Sequence, residues 1–299
     1  MKVFYCDHFV LPLPSEHRFP MSKYRLLRER VEAELIPPCE LVEPYPASDT
    51  QILRCHHVDY VERAKNGTLT EKEMRRIGFP WSPQMIERSR RSSGGTIGAC
   101  RVALQEGVAV NLAGGTHHAY PDHGEGYCLF NDSAIAARAM QAENRVKRVV
   151  IIDCDVHQGN GTAAVFVDDP TVYTFSIHGA KNFPFHKENS DLDVALDDDA
   201  DDAIYLEALE KGVRESIQNS GADLAIYLAG ADPFVGDSLG RLNLTKAGLM
   251  ERDRLVFDYC RRAGLPVAVA MAGGYAKEVT DIVDIHFQTV RAALALHQS

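Results

Sequence analysis

Five short apolar runs, mostly β-branched, punctuate the chain from residue 108 onward, and they constrain the fold more than any other feature. They are Val108–Leu112, Arg148–Ile152, Val172–Ser176, Leu224–Leu228 and Val267–Met271. Runs this apolar and this short read as strands buried on both faces of a parallel sheet. Helical patterns lie between them. Ser93 to Gln105 carries apolar residues at helical spacing, and Asp132 to Gln141 is Ala-rich with Asn131 or Asp132 as N-cap. Tyr205, Leu206, Leu209, Val213 and Ile217 follow the three-and-four rule, and Thr245 to Arg262 forms another helix closed by Gly264 and Pro266. Strand–helix alternation of this kind predicts an α/β fold, with helices on both faces of a parallel sheet.

The sequence has no linker rich in Pro, Gly or Ser and no internal repeat, so residues 1–299 are expected to form a single domain. The run Asp197 to Asp202, broken only by Ala200, reads as a solvated loop entering the helix at Tyr205, where acidic residues suit a helix N-terminus. No apolar run approaches the length of a membrane span, and residues 1–8 lack a signal peptide's apolar stretch. Seven scattered cysteines include no Cys-x-x-Cys pair, which argues against a disulfide framework or a thiolate zinc site. A cytoplasmic location fits both observations. The net charge of −10 argues against direct nucleic-acid binding and permits a cationic substrate.

In open α/β sheets, ligands bind outside the carboxyl ends of the strands. Four of the five runs are followed by polar residues that packing would not require. After Ile152 come Asp153, Asp155 and His157, which alternate and so share one face of an extended backbone. An isolated Asp-x-His could be a cap beside a core histidine. Two carboxylates and an imidazole on one face after a buried strand outline a cation site instead, because crowded like charges need a metal or a proton. After Leu112 comes Gly114-Gly115-Thr116-His117-His118, where the glycines allow a sharp turn before the histidine pair. After Leu228, Asp232 follows a tight turn, and after Met271, Tyr275 follows Gly273-Gly274. Zinc accepts a mixed oxygen and nitrogen set of three protein ligands and leaves a position open for water, so Asp155, His157 and Asp232 suit it.

In type, order and spacing, from roughly Ser92 to Tyr275, these motifs resemble the histone deacetylase superfamily, with its arginase-deacetylase fold. Ser93-Gly-Gly-Thr96, Ile151 to Gly161 and Gly273-Gly-Tyr275 look most like the class IV branch and its bacterial relatives. The resemblance implies a sheet of about eight parallel strands and a zinc-dependent hydrolase of linear amides. It implies zinc on Asp155, His157 and Asp232. It makes His118 the general base towards the metal's water and then the acid towards the leaving amine, with His117 beside it, bonded to Asp153. Asn160 would pair with a catalytic histidine, and Tyr275 would stabilise the oxyanion. Gly126, Tyr127 and Phe183 would form the acyl-lysine tunnel. Asp153 and Ser176 would help hold a structural monovalent cation, usually potassium.

Two departures stand out. Asn160 occupies a position where many deacetylases have aspartate, and a neutral amide raises its histidine's basicity less. Tyr127 replaces a common phenylalanine and adds a hydroxyl to the tunnel wall. The implied substrate is an Nε-acyl-lysine or a small acylated amine or polyamine. The class IV likeness also raises long fatty acyl chains, with Phe183, Phe185, Leu129 and Phe130 near the expected pocket and Trp81 at its rim. Two other readings compete: an arginase-like two-metal hydrolase, and a binding protein that keeps the pocket without catalysis.

Overall fold

The computed structural model describes residues 1–14 and 16–298. Its strands are β1 (Lys2–Phe4), β2 (Glu40–Val42), β3 (Val108–Asn111), β4 (Val149–Asp153), β5 (Val172–Gly179), β6 (Leu192–Leu196), β7 (Leu224–Ala229) and β8 (Val267–Met271). Its helices are α1 (Ser22–Leu35), α2 (Asp49–Ile52), α3 (Val58–Asn66), α4 (Glu71–Ile77), α5 (Pro83–Glu106), α6 (Asp132–Ala142), α7 (Asn160–Phe166), α8 (Asp202–Ser220), α9 (Lys246–Arg262) and α10 (Val279–His297).

All eight strands join one sheet in the order β2-β1-β3-β8-β7-β4-β5-β6, and every pairing is parallel. The five runs read from sequence are β3, β4, β5, β7 and β8. Their side chains alternate between two apolar layers. Val150, Ile152, Tyr227, Val267 and Val269 pack with α1, α8, α9 and α10 on one face. Val149, Ile151, Ile226, Leu228 and Ala268 pack with α3, α5 and α6 on the other. Burial on both faces is what makes these strands continuously apolar.

Helix ends follow local chemistry. Asn131, not Asp132, caps α6, its side chain accepting from the Ala134 amide at 3.0 Å. Asp201 caps α8 at the end of the acidic run, accepting from the Ile204 amide. Helix α5 begins a full ten residues before Ser93, at Pro83, behind a Ser82 cap. A serine cap followed by proline in the first helical position is a start signal in its own right.

The order of the strands decides where chemistry can gather. β3, β8, β7 and β4 are consecutive in the sheet centre. The loops leaving their carboxyl ends carry His117–His118, Tyr275, Asp232, and Asp155 with His157. Residues far apart in sequence therefore meet over four adjacent strand ends.

Candidate active site

The loop after β4 folds back on itself. The backbone amides of Asp155 and His157 donate to Asp153 Oδ1 (3.1 Å) and Asp155 Oδ1 (2.9 Å). His157 Nδ1 lies 2.9 Å from Asp155 Oδ1 and 3.3 Å from Asp232 Oδ2. Asp155, His157 and Asp232 are all buried, and one potential ligand atom from each lies within 4.8 Å of the others. Asp232 Oδ1 accepts from the Val156 amide, while its buried Oδ2 has no neighbour better than the His157 ring at 3.3 Å. Two buried carboxylates this close are costly without positive charge between them. These residues therefore fit a divalent metal, and among the described residues there is no second cluster of this kind.

Gly273 makes the cluster possible. Its amide donates to Asp155 Oδ2 at 2.7 Å, and a Cβ at this position would fall 1.9 Å from Asp232 Oδ2. Beneath the β7 loop, the fully buried Arg252 donates to the Gly230 carbonyl and pairs with buried Asp253 at 2.8 Å. Tyr227 and Thr289 also donate to Asp253, so the turn leading to Asp232 rests on a buried polar network.

The histidine pair is held from two sides. Asp132 accepts from the Gly115 and Thr116 amides at 3.2 and 2.7 Å and fixes the turn out of β3. His117 Nδ1 lies 2.6 Å from Asp153 Oδ2, and His118 Nδ1 lies 2.6 Å from Asn160 Oδ1. Burial opposes charging His117, but the Asp153 and Asp155 carboxylates outweigh it and push its pKa up to about 9. Burial, reinforced by His117 and His157, drives His118 well below the ordinary histidine value. The pair is thus one charged and one neutral imidazole, 4.1 Å between ring centroids. His157 is pushed up to about 10, burial being outweighed by Asp155 and Asp232. Asp232 itself is pushed up to about 7, by burial and by Asp155.

Tyr275 closes the other side. Its amide donates to Asp237 Oδ2 at 2.6 Å, and burial together with the nearby Asp155 and Asp232 holds its phenol well above the ordinary value, in the proton-donating form. Lys23, buried on α1, donates to the Gly274 carbonyl and sits 5.3 Å from the Tyr275 ring centroid.

Two cavities meet at the cluster. An open one of about 540 Å³ is lined by His118, Gly126, Tyr127, His157, Phe183 and Tyr275, with Phe185 at its exposed edge. An inner one of about 40 Å³ shares His118, Gly126, Tyr127, His157 and Tyr275, and is also lined by Lys23. The Phe183 ring stands edge-on to His118 at 4.9 Å. Gly126 and Tyr127 both have positive φ, 56° and 65°, and a Cβ on Gly126 would meet His118 at 2.6 Å. The carbonyls of Arg76 and Ile77, at the end of α4, pin this turn by accepting its two amides.

Most residues singled out from sequence therefore gather here. Three do not. Leu129 and Phe130 fill the core behind the turn. Trp81 is absent from the cavity lining; its ring covers Gly67 and its indole donates to the Ala64 carbonyl at 2.8 Å. Asp153 and Ser176 are register partners across β4 and β5, where Ser176 Oγ bonds His178 Nδ1 at 3.0 Å. Glu125, Asp237, Lys23 and Asp132 support the site and were not singled out from sequence.

Residues 17–290 match the histone deacetylase domain. The chain belongs to the histone deacetylase family, whose members are deacetylase-type amidohydrolases that typically use a metal ion. It is 46% identical over 292 residues to an uncharacterized protein of Picosynechococcus sp., with 97% of each chain covered. It is 29% identical to histone deacetylase 2 of Arabidopsis thaliana, covering 89% of this chain and 72% of that one. It is 31% identical to the acetoin utilization protein AcuC of Staphylococcus aureus, covering 79% and 67%. Among solved structures, an HDAC homolog from Aquifex aeolicus superposes with a TM-score of 0.82 at 22% identity, over 100% of this chain and 88% of that one. The HDA15 HD domain gives the same TM-score at 21% identity, over 98% and 91%. No helix among the described residues is long and apolar enough to cross a membrane.

Proposed function

We propose that the whole chain is one catalytic domain, and that it is a zinc-dependent deacylase hydrolysing the amide of an Nε-acyl-lysine or a small acylated amine. The observation that carries this reading is that His118, His157 and Tyr275 line both cavities, with Asp155 lining the inner one and Asp232 clustered behind it with Asp155 and His157. Asp155, His157 and Asp232 would hold the metal, whose chemistry when bound is to acidify water and polarise a carbonyl.

The remaining work belongs to side chains. Glu125, as a carboxylate, can only accept, so the Asn160 NH₂ faces it at 2.6 Å. Asn160 Oδ1 then faces His118 and requires the proton on His118 Nδ1. This leaves the Nε2 lone pair of a neutral imidazole free to take a proton from attacking water. As the water oxygen bonds the acyl carbon and the C–N bond breaks, His118 returns that proton to the leaving amine. Tyr275 donates to the developing oxyanion. His117, charged against Asp153, adds positive potential beside it. The products are a carboxylic acid and a free amine.

Gly126, Tyr127 and Phe183 would wall the acyl-lysine stem between apolar faces. A potassium ion beside Asp153 and Ser176, a class IV-type affinity and a cytoplasmic location belong to the same reading. Seven buried, unpaired cysteines support a reducing compartment. The direct test is acid release from acyl-lysine peptides by the purified protein, abolished by a chelator and restored by zinc. Turnover that survives complete metal removal would reject the mechanism.

A further inference from the structure

The mouth of the active-site cavity is basic, on a protein whose net charge is −10. Arg75, Arg76, Lys181 and Arg241 line it, against a single carboxylate, Glu125. Glu125 is buried and already committed, accepting from Arg76 at 2.7 Å and from Asn160 at 2.6 Å. Three of the four cations project into solvent with little to neutralise them. Arg75 is 73% exposed, and its partner Glu71, 3.3 Å away, is 92% exposed. Such a pair is screened and weak. Lys181 and Arg241 are 66% and 54% exposed and share one carboxylate oxygen, Asp198 Oδ2, at 3.5 and 3.2 Å.

These cations come from three separate segments. Arg75 and Arg76 end α4, where basic residues suit the helix C-terminus. That local cause does not extend to Lys181, which follows β5, or to Arg241, which follows β7. Phe183 and Phe185 line the same mouth as apolar wall. A concave mouth lined by one sign of charge focuses its field on whatever enters and raises the local concentration of the opposite charge.

We propose that the substrate is an acylated amine with negative groups close to the scissile amide, and that acylated polyamines are disfavoured. This rests on the deacylase reading above and narrows it. A carboxylate could come from Asp or Glu flanking an acyl-lysine in a protein, or from a small N-acylated amino acid. Either would sit within reach of the ring of cations while the acyl group passes Tyr127 and Phe183.

The test uses zinc-loaded full-length protein and acetyl-lysine peptides of equal length, with Asp/Glu, Gln/Ser or Lys/Arg on both sides. Nε-acetyl-lysine with a free or amidated α-carboxylate, and acetylputrescine, form a second arm. The expected order of kcat/KM is acidic over neutral over basic, spanning about tenfold at low salt and carried mainly by KM. It should shrink towards parity at about 0.5 M salt. A Lys181→Glu, Arg241→Glu double variant should reverse it. An order seen only in peptides identifies an acidic protein segment; an equal or larger effect of the free α-carboxylate identifies a small anionic amine. Basic peptides or acetylputrescine matching the acidic peptide would overturn the proposal, as would an order unmoved by the double variant. Fluorescence anisotropy with the Tyr275→Phe enzyme reads the same order as binding. If the order holds there but the wild type releases no acid, the deacylase reading fails and the anionic-ligand site stands. If acid is released without any order, the reverse is true; neither turnover nor an order in binding rejects both.

Discussion

Asn160 couples His118 to Glu125 through the two ends of one amide, each contact at 2.6 Å. The carboxylate nearest His118 on this side stands one residue further out, behind the amide. Glu125→Gln removes the group that dictates which way the amide points, because a glutamine can present either donor or acceptor. Turnover should fall about 10- to 100-fold, the scale for partners that orient catalytic groups. Metal content, measured by elemental analysis, should not change. Normal turnover in Glu125→Gln would show that the amide needs no such anchor.

Proton transfer and oxyanion stabilisation separate cleanly by variant. His118→Ala should lose about two or more orders of magnitude in kcat. Tyr275→Phe should lose about two to three orders, as for one missing oxyanion donor. Both variants should still bind one metal per chain, since neither side chain is in the Asp155–His157–Asp232 cluster. Either variant retaining near-normal kcat would remove that residue from its assigned role.

Metal uptake should be steeply pH-dependent, and the sign follows from the protons the empty cluster holds. His157 is pushed up to about 10 and Asp232 up to about 7, so at neutral pH the cluster is partly protonated. Ligands must shed those protons before they coordinate. Affinity should therefore rise with pH from about 6 to 8, and binding should release protons. Calorimetry in two buffers of different ionisation enthalpy measures that release directly; affinity independent of pH would contradict it. Asp232→Ala should lose the metal and the activity together.

The Arg252–Asp253 pair tests what supports the β7 turn. Both side chains are fully buried, and Asp253 also accepts from Tyr227 and Thr289. Arg252→Ala leaves a buried carboxylate without its cation and should destabilise the fold by about 3–5 kcal/mol. Denaturant unfolding checks this. A loss below about 1 kcal/mol would mean that water replaces the guanidinium.

The sheet's centre was legible because each of its strands is buried on both faces and so spells a continuous apolar run. β1 and β2 span three residues each, too few to show a period, and the edge strand β6 has an exposed or half-buried residue at four of its five positions. The ligand-bearing loops were legible because polar residues directly follow buried strands. Glu125, Lys23 and Asp237 were not. Their relevance lies in contacts with Asn160, Gly274 and Tyr275, which are 35, 251 and 38 residues away, and no local pattern encodes such a pairing. Helix α10 differs: Ile282, Ile285, Val290 and Ala293 carry a readable helical stripe.

The acyl group is decided by what lies beyond the cluster. Phe183 and Phe185 belong to the outer wall, while Leu129 and Phe130 are core and enlarge nothing. The inner cavity holds about 40 Å³ and is lined by Phe19, Tyr24, Tyr127 and Ala272. That is room for a few water-sized groups, enough for an acetyl methyl and not for a fatty chain. An open apolar tunnel would gain about 0.8 kcal/mol per buried methylene, or about fourfold in specificity at each step. A closed one instead forces overlap, which costs about 1–3 kcal/mol for modest intrusions into a packed interior. On one peptide, kcat/KM should therefore fall steadily from acetyl through butyryl and octanoyl to myristoyl. A rise along that series would show that the inner wall opens, and would return the enzyme to the long-chain class.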